Sequence, residues 1–548
     1  MSGTADDSLA FQRNIVDILP QNWTVVSLTM DVDRGVLYVN RLRSNTMPLV
    51  VCLPLNRAQL REGDGDAGLD LGSVGEIGHI PATRVSGATS TTSPSNRQPV
   101  EMTKEAKTEW WSRRQNLNDR LRFLLSTMED QWLCGLKGLI QSHNTPASEE
   151  NLLDFKKTLE WIMSQASNTL PATPARNSRT VDRRHTDSEG ASVVQTEINI
   201  DLCRAILNLG DQPTKSELCD LIYFLLDAYL FKNVAYSEEQ FGRVATQIRE
   251  ALRCYWEAEV AANNNGYDEG AHIILVLDKH LQMFPWESCP VLRDEAVSRV
   301  PSIWFLRDRI LQQRHLLSQS QPQDCPKPTN NTAEESTTFV EEHYWRDLEV
   351  DGQKTFYLLN PGKDLRNTEE EFKDYVKAQP GWNGIIGRTP LDIECIQGLS
   401  KNDLYIYFGH SGGEQYIKPT QIRKLGHCAV SILLGCSSGL IRGSGEFDPT
   451  GNVMDYMLAG CPTVVANLWD VTDRDLDRFS KALFTLWGLD DSSGKGNERA
   501  LTNSSRNFRP RLSIVEAVKE AREECRLKYL VGAATVVYGI PCFLKTGS

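Results

Sequence analysis

Hydrophobic positions along this chain follow two patterns, and the changes between them outline its architecture. In the first 60 or so residues the apolar runs are short and β-branched. Trp23–Met30, Val36–Leu42 and Leu49–Leu55 each read as a strand, with Asp33-Arg34-Gly35 a hairpin turn between the first two. Residues 62–100 are rich in Gly, Ser and Thr with few aromatics, which predicts a long loop or disorder. From Thr103 to Ser142 the spacing becomes three, four or seven. Trp110, Leu117, Leu121, Leu124, Met128, Trp132, Leu136 and Leu139 form a coiled-coil-like stripe on one long helix, expected to pack on another helix such as Leu152–Met163. Residues 166–193 turn polar again and read as a flexible insert, in which Thr186-Asp187-Ser188-Glu189 matches a common phosphorylation pattern. Helices resume over 200–209 and 215–232, and Ser237-Glu238-Glu239-Gln240 is a capping box that opens a helix to about Ala262.

The remainder alternates strand and helix. Ile273–Leu277 is a buried strand leading into Asp278–Ser288, a strand-to-loop site that could pass for a second catalytic centre. His280 has no nucleophile partner there, since Ser288 and Cys289 sit beside prolines, so a structural or pseudo-active counterpart is the expectation. The stretch 318–338 is rich in Pro, Gln, Asn and Ser and reads as a linker, dividing 1–320 from 339–548. Thr355–Leu359 is a strand followed by the turn Asn360-Pro361-Gly362, and Trp382 through Pro390 reads as a loop near the site. Leu404–Phe408, Val430–Leu434 and Thr463–Leu468 are apolar runs of strand length, with a Gly-rich loop at Arg442–Gly445 and a helix from Val453 to Leu458 between the last two. An acid-opened helix to Trp487, a helix over Ile514–Leu527 and a strand Thr535–Tyr538 complete an α/β pattern.

Two of those strands carry candidate chemistry. Each ends in glycine and then a reactive residue, Gly409-His410 and Gly435-Cys436, and small residues follow both. Parallel pairing would deliver an imidazole and a thiol to one sheet edge, where open α/β sheets bind ligands. A thiol attacking a peptide carbonyl needs little bulk around it, and an imidazole must come within hydrogen-bond reach of the thiol or the leaving amine. Backbone N–H groups beside both residues, at Cys436 and at Ser411 or Gly412, could hold an oxyanion. The alternative is a buried structural Cys with a core His. His427-Cys428 is no dyad, because neighbouring side chains on a strand face opposite ways.

Charge and cysteine usage narrow the classes. A formal net charge of −13 argues against a nucleic-acid binder and suits a basic substrate or partner. The 13 cysteines are scattered singly with no C-x-x-C pair, so neither a zinc site nor a disulfide framework is expected, and most should be reduced and buried. No metal or other cofactor is expected. The N-terminus lacks a signal pattern, and no run of about 18 apolar residues predicts a membrane helix. Asp470, Asp473, Asp475 and Asp477 lie at the start of the helix after the Thr463–Leu468 strand. Acids in a first turn suit the helix dipole, but a carboxylate there could also hold a substrate guanidinium bidentately. With a helix start near Asp473, Asp473 and Asp477 share one face and Asp475 points elsewhere, toward solvent or Arg478.

The runs LDKHLQMFPWESCPVL, YLLNPGKDL, YFGHSGGEQYI, LLGCSSG, NVMDYMLAGCPTVVANLWDVTDRDLDRF and YGIP resemble separase, in order, over about 270–548. Separase is an endopeptidase of the caspase–gingipain group that cleaves the kleisin subunit of cohesin at anaphase onset. The resemblance implies a caspase-like sheet with flanking helices over 339–548. Residues 1–320 would then be a mixed α/β, partly pseudo-protease-like substrate-binding domain with an inserted helical hairpin. His410 falls on the family's catalytic histidine and Cys436 on its nucleophile, with no third residue visible to orient His410. Substrates would carry Arg before the scissile bond and an acid three positions upstream. Asp477 is favoured to read that Arg, then Asp473, with Asp470 a further candidate. Securin would bind as a pseudosubstrate, and the place of action would be cytoplasm and nucleus, on chromosomes and spindle. Family members also carry a long helical-repeat region on the N-terminal side, so the chain is expected to represent the protease portion. Glu250–Arg253 and Glu523–Arg526 match the acid-x-x-Arg pattern but fall in predicted helices, unlike an extended substrate. Two other classes remain: a caspase-like scaffold that acts by binding only, and a Cys-dependent hydrolase of non-peptide acyl groups.

Overall fold

The apolar runs do become strands, and their pairing decides what the chain presents at each edge. A computed structural model describes residues 3–57, 103–142, 149–168, 197–229, 238–261, 271–319, 347–445, 447–490 and 511–545. The predicted loop at 62–100, nearly all of 166–193 with Thr186–Glu189, the cap Ser237 and most of 318–338 lie outside the described residues. The chain divides into two compact units, one of Met1–Met128 with His272–Ser548 and one of Glu129–Ala271. Among the described residues no helix is long and apolar enough to cross a membrane.

In the first unit the strands are β1 (Trp23–Asp31), β2 (Val36–Leu42), β3 (Leu49–Pro54), β4 (His272–Leu277), β5 (Val297–Val300), β6 (Leu348–Val350), β7 (Thr355–Leu359) and β8 (Asn383–Ile386). They continue with β9 (Leu404–Phe408), β10 (Val430–Leu434), β11 (Arg442–Ser444), β12 (Phe447–Thr450), β13 (Thr463–Asn467), β14 (Thr535–Gly539) and β15 (Cys542–Leu544). Eleven of them form one mixed sheet in the order β3-β2-β1-β4-β5-β14-β13-β10-β9-β7-β8. Strands from both sides of the 318–338 stretch therefore share a sheet, with β5 parallel to β14 and β14 antiparallel to β13.

Strand alternation sends the central side chains to two faces. Leu404, Ile406, Phe408, Ile432 and Leu434 join Phe372, Phe479 and Val518 in one core, while Tyr405, Tyr407 and Leu433 join Leu399, Val453 and Tyr456 in another. The helices Arg366–Ala378, Asp473–Trp487 and Ile514–Ala521 thus cover one side, and Asp392–Lys401 and Asn452–Leu458 the other. Coverage on both faces explains why β9 and β10 read as unbroken apolar runs.

Several boundaries differ from those the sequence predicts. Trp382–Pro390 is not simply a loop, because Asn383–Ile386 is β8, the edge strand beside β7. Arg442–Gly445 contributes β11 to a two-stranded hairpin with β12. The predicted 514–527 helix ends at Ala521, followed by a tight turn over Arg522–Glu524. The 103–142 helix breaks after Met128: Glu129–Leu133 is a wider turn, Cys134 sits at φ 42°, and Cys134–Ile140 is a tighter helix. A left-handed residue cannot continue a right-handed helix. Lys104–Met128 packs on its own unit rather than pairing along the stripe. Leu117 meets the core beneath β9 and β10, and the Asn118 carboxamide oxygen accepts from the N–H groups of Tyr529 (2.9 Å) and Leu530 (3.1 Å).

The loop after β4 is organised by a buried ion pair. Arg299 on β5 donates to both oxygens of Glu287 (2.6 Å each) and to the carbonyls of Gln282 (2.6 Å) and Phe284 (2.5 Å). Ser288 and Cys289 are buried and His280 is exposed.

The second unit is helical by the spacing that predicts it. Glu149–Asn168 packs along Glu238–Ala261, with Phe155 edge-on to Tyr255 (5.9 Å) and Asn151 donating to Glu259 (2.8 Å). Ile200–Leu207, capped by Asn199, and Lys215–Tyr229 pack against Cys134–Ile140. Glu250 and Arg253 are ion-paired on the exposed face of Glu238–Ala261.

Candidate active site

Four parallel neighbours, β7, β9, β10 and β13, end at one edge of the sheet. Register aligns Leu359 with Phe408, Phe408 with Leu434, and Ile432 with Val465. The turns that begin at Asn360, Gly409, Gly435 and Leu468 therefore leave side by side. Chain order reverses here: β8 lies beyond β7 on one side and β9 on the other, the kind of switch point that opens a crevice.

The turns after β9 and β10 are built alike. His410 precedes Ser411 at φ 52°, and Cys436 precedes Ser437 at φ 53°. Left-handed serines are uncommon and tend to be held at functional sites. Tyr407 folds back beneath its turn and donates its hydroxyl to the His410 carbonyl at 2.7 Å. Gly435 has no room for more: an added Cβ would stand 2.0 Å from the Ser411 carbonyl oxygen, so the two turns touch backbone to backbone. Behind Cys436, Asn467 donates to the Gly435 carbonyl (3.0 Å), Ser438 Oγ donates to Leu433 O (2.8 Å) and accepts from Asn467 N–H (3.0 Å).

His410, Cys436, Asp473 and Asp477 line one cleft together with Leu365, Thr368, Leu476 and Ser480. Asp473, Leu476, Asp477 and Ser480 are one face of the Asp473–Trp487 helix, at the spacing that predicts it. The cleft is tight, with a free volume of about 10 Å³, room for about one water molecule. The Cys436 thiol, half-buried, donates to the Val471 carbonyl at 3.3 Å. Burial, with Asp470 and Asp473 adding to it, pushes that thiol up to about 11. Burial likewise raises the Asp473 carboxyl, against the attraction of His410. Asp477 is pushed up to about 6 by burial, opposed by its hydrogen bond from Thr368 Oγ1 (3.2 Å) and helped by Asp473.

Asp477 also faces outward, into a second recess of about 490 Å³ shared with Glu370, Glu371, Arg474, Arg478 and Lys481. Two predicted contacts land differently. Asp470 is not in the cleft; it accepts from Ser437 Oγ (2.6 Å) and braces the nucleophile turn. The Gly412 N–H donates to Glu414 (2.9 Å), so a substrate oxygen would have to displace that carboxylate, whereas Ser411 and Cys436 carry the other two predicted donors. Asp475 is buried and ion-paired with Arg478, and it accepts from the N–H groups of Arg526 and Leu527 (3.2 Å each). His427 and Cys428 lie in the turn before β10 rather than on a strand; His427 is exposed against the Asn402 carbonyl (3.2 Å) while Cys428 is buried, so the two do not form a dyad.

One neighbour escapes sequence reasoning. Asp364 Oδ2 lies 2.7 Å from His410 Nε2, with both side chains half exposed. The sequence signals are position, since Asp364 follows a strand end as His410 and Cys436 do, and its place in the run YLLNPGKDL; neither points to a contact with His410.

A half-buried thiol, an imidazole, paired carboxylates and backbone donors at one strand edge can perform acyl transfer through a thioester. The protein-family model described as "Separin, protease domain" matches residues 32–476. The separin of Emericella nidulans is 34% identical over 536 residues, 97% of this chain and 23% of that protein. The separin of Schizosaccharomyces pombe is 35% identical over 544 residues, 98% of this chain and 26% of that protein. The crystal structure of the Saccharomyces cerevisiae separase–securin complex superposes with a TM-score of 0.70 at 26% identity, covering 99% of this chain and 32% of that one. The chain thus spans about a quarter of the curated relatives' length.

Proposed function

The chain belongs to the separin protease family, and on that premise we propose that it is a cysteine endopeptidase that cuts the kleisin subunit of cohesin after arginine. The observation that carries this reading is the shared cleft of His410, Cys436 and Asp477 at the ends of β9 and β10. The 339–548 part supplies the chemistry, and 1–320 contributes to substrate binding. The yeast relative was solved in complex with securin, and in this reading a securin binds the present chain's groove as a pseudosubstrate. The work is done in cytoplasm and nucleus, on chromosomes and spindle.

In the resting site the thiol is protonated and parked on Val471. When the peptide binds, Sγ attacks the carbonyl carbon and the thiol proton passes to His410. His410 then gives that proton to the departing amine as the C–N bond breaks, leaving a thioester on Cys436. Water next loses a proton to His410 while its oxygen attacks the thioester. The C–S bond breaks, and Sγ recovers the proton. The N–H groups of Ser411 and Cys436 hold the oxyanion in both steps, each worth roughly 10²–10³ in rate.

Asp477 reads the arginine. An ionised carboxylate hydrogen-bonded to guanidinium contributes about 1.5–3 kcal/mol, tenfold or more in discrimination. The free cleft is too tight for that side chain, so Leu365, Thr368 and Asp477 must part as it enters. The tightness is the one observation favouring a binding-only scaffold. A kleisin-like peptide with Arg, Lys or Ala before the scissile bond decides between the readings. Mass spectrometry should place a single cut after Arg, much slower with Lys and absent with Ala. No cut in any peptide that binds leaves the scaffold.

A further inference from the structure

His410 needs a fixed ring to act first as base and then as acid, and its own turn fixes only its backbone. We propose that Asp364 is the positioning residue for His410, completing a Cys436–His410–Asp364 triad; this rests on the protease reading above.

The contact is direct, Nε2 to Oδ2 at 2.7 Å. An ionised carboxylate can only accept, so the proton of the neutral ring sits on Nε2. Nδ1 is then the bare nitrogen, free to take the thiol proton and pass it on. The logic is that of the aspartate in a serine-protease triad, which fixes tautomer and orientation without taking the proton itself.

The loop that carries Asp364 is built to hold it there. Asn360, buried at the end of β7 with φ 50°, accepts at Oδ1 from the N–H groups of Asp364 (3.0 Å) and Leu365 (2.9 Å). Its Nδ2 donates to Glu369 (2.8 Å), and its own N–H donates to the carbonyl of Phe408 (2.9 Å), two residues before His410. One residue therefore ties the Asp364 turn, through its side chain, to the strand end that carries His410, through its backbone. Asp473 also faces the imidazole but makes no hydrogen bond to it, so its attraction does not set the ring's direction. Because the Asp364–His410 contact is half exposed, it adds little to the fold, which separates a positioning role from a structural one.

The test compares wild type, Asp364→Ala, Asp364→Glu and Cys436→Ser on an arginyl peptide, with His410 observed by ¹⁵N-histidine NMR. For Asp364→Ala the expectation is kcat lower by roughly tenfold to a hundredfold, up to the lower end of what general acid–base assistance contributes, with KM within about twofold and the unfolding temperature unchanged. Asp364→Glu should restore most of kcat. The neutral ring should be the Nε2–H tautomer in wild type and a mixture in Asp364→Ala. Wild-type kcat in Asp364→Ala, a loss seen only in KM, or a loss that Glu leaves unrepaired overturns the proposal. Failure of the protease reading is distinct: wild type would not cleave, or Cys436→Ser would, and the tautomer then decides the role of Asp364 by itself.

Discussion

Asp477 sits where its charge is least comfortable, half-buried near Asp473 with a single hydroxyl donor, and its carboxyl rises to about 6. A bound guanidinium favours the ionised form, so protons compete with the substrate. The KM for an arginyl peptide should climb as pH is lowered through about 6. Asp477→Asn should raise KM at pH 7.5 by tenfold or more and flatten that dependence, while alkylation of Cys436 by a small neutral reagent stays at the wild-type rate. Equal pH profiles in the two proteins would remove Asp477 from the pocket. A second titration belongs to stability. His272 is buried, with Nε2 3.0 Å from Ser298 Oγ, and burial drives it down to about 3. The unfolded imidazole binds a proton below about 6.5 and the folded one does not until about 3. Folding stability should therefore fall as pH drops below 6.5, by up to ~1.4 kcal/mol per unit from this group. Denaturant melts of His272→Gln should show a shallower decline between pH 6.5 and 4. Of the acidic cluster, Asp473 and Asp477 were legible because helical spacing alone places them together. Asp470 was not, because it precedes the helix and its direction depends on the turn that receives it. Asp364 was hidden for a related reason: nothing in Leu365 or Lys363 announces that β7 will pair with β9.

At the scale of elements, the site depends on two turns pressed against each other. A methyl at Gly435 would stand 2.0 Å from Ser411 O and 2.9 Å from Gly409 O, both backbone atoms that cannot swing aside. Gly435→Ala should destabilise by about 1–3 kcal/mol, as overpacking does, and lower kcat well beyond what the loss of folded protein explains. Unchanged melting together with unchanged turnover would show that the turns are not in register as described. The central strands were readable because burial on both faces leaves nothing polar in them. The errors came where that signal fails. β8 is a four-residue edge strand with exposed Asn383 and Gly384, indistinguishable from a loop by pattern. The 103–142 stripe is periodic throughout, yet a left-handed Cys134 and the glycines around it end the helix early.

At the scale of the molecule, the sheet interleaves the chain's two ends, so the linker at 318–338 does not separate independent bodies. A site-specific protease sequence placed there should give two fragments that co-elute on a sizing column, because β5 is paired with β14 and Trp23 and Ile540 share a core. Separation without denaturant would contradict that topology. The −13 net charge, legible at once, says nothing of where acids are used; only the cleft shows two of them lining the site beside His410 and Cys436. The most direct measurement of the whole account is where an arginyl electrophile attaches. A peptidyl-arginine acyloxymethyl ketone mimics the acyl step and leaves a thioether on whichever thiol attacks it. Peptide mapping of the labelled protein should find the adduct on Cys436 alone, absent in Cys436→Ser and slowed in Asp477→Asn, with the exposed Cys52 and Cys254 untouched. An adduct on Cys52 or Cys254 at a comparable rate, or none on Cys436 at saturating reagent, would contradict it.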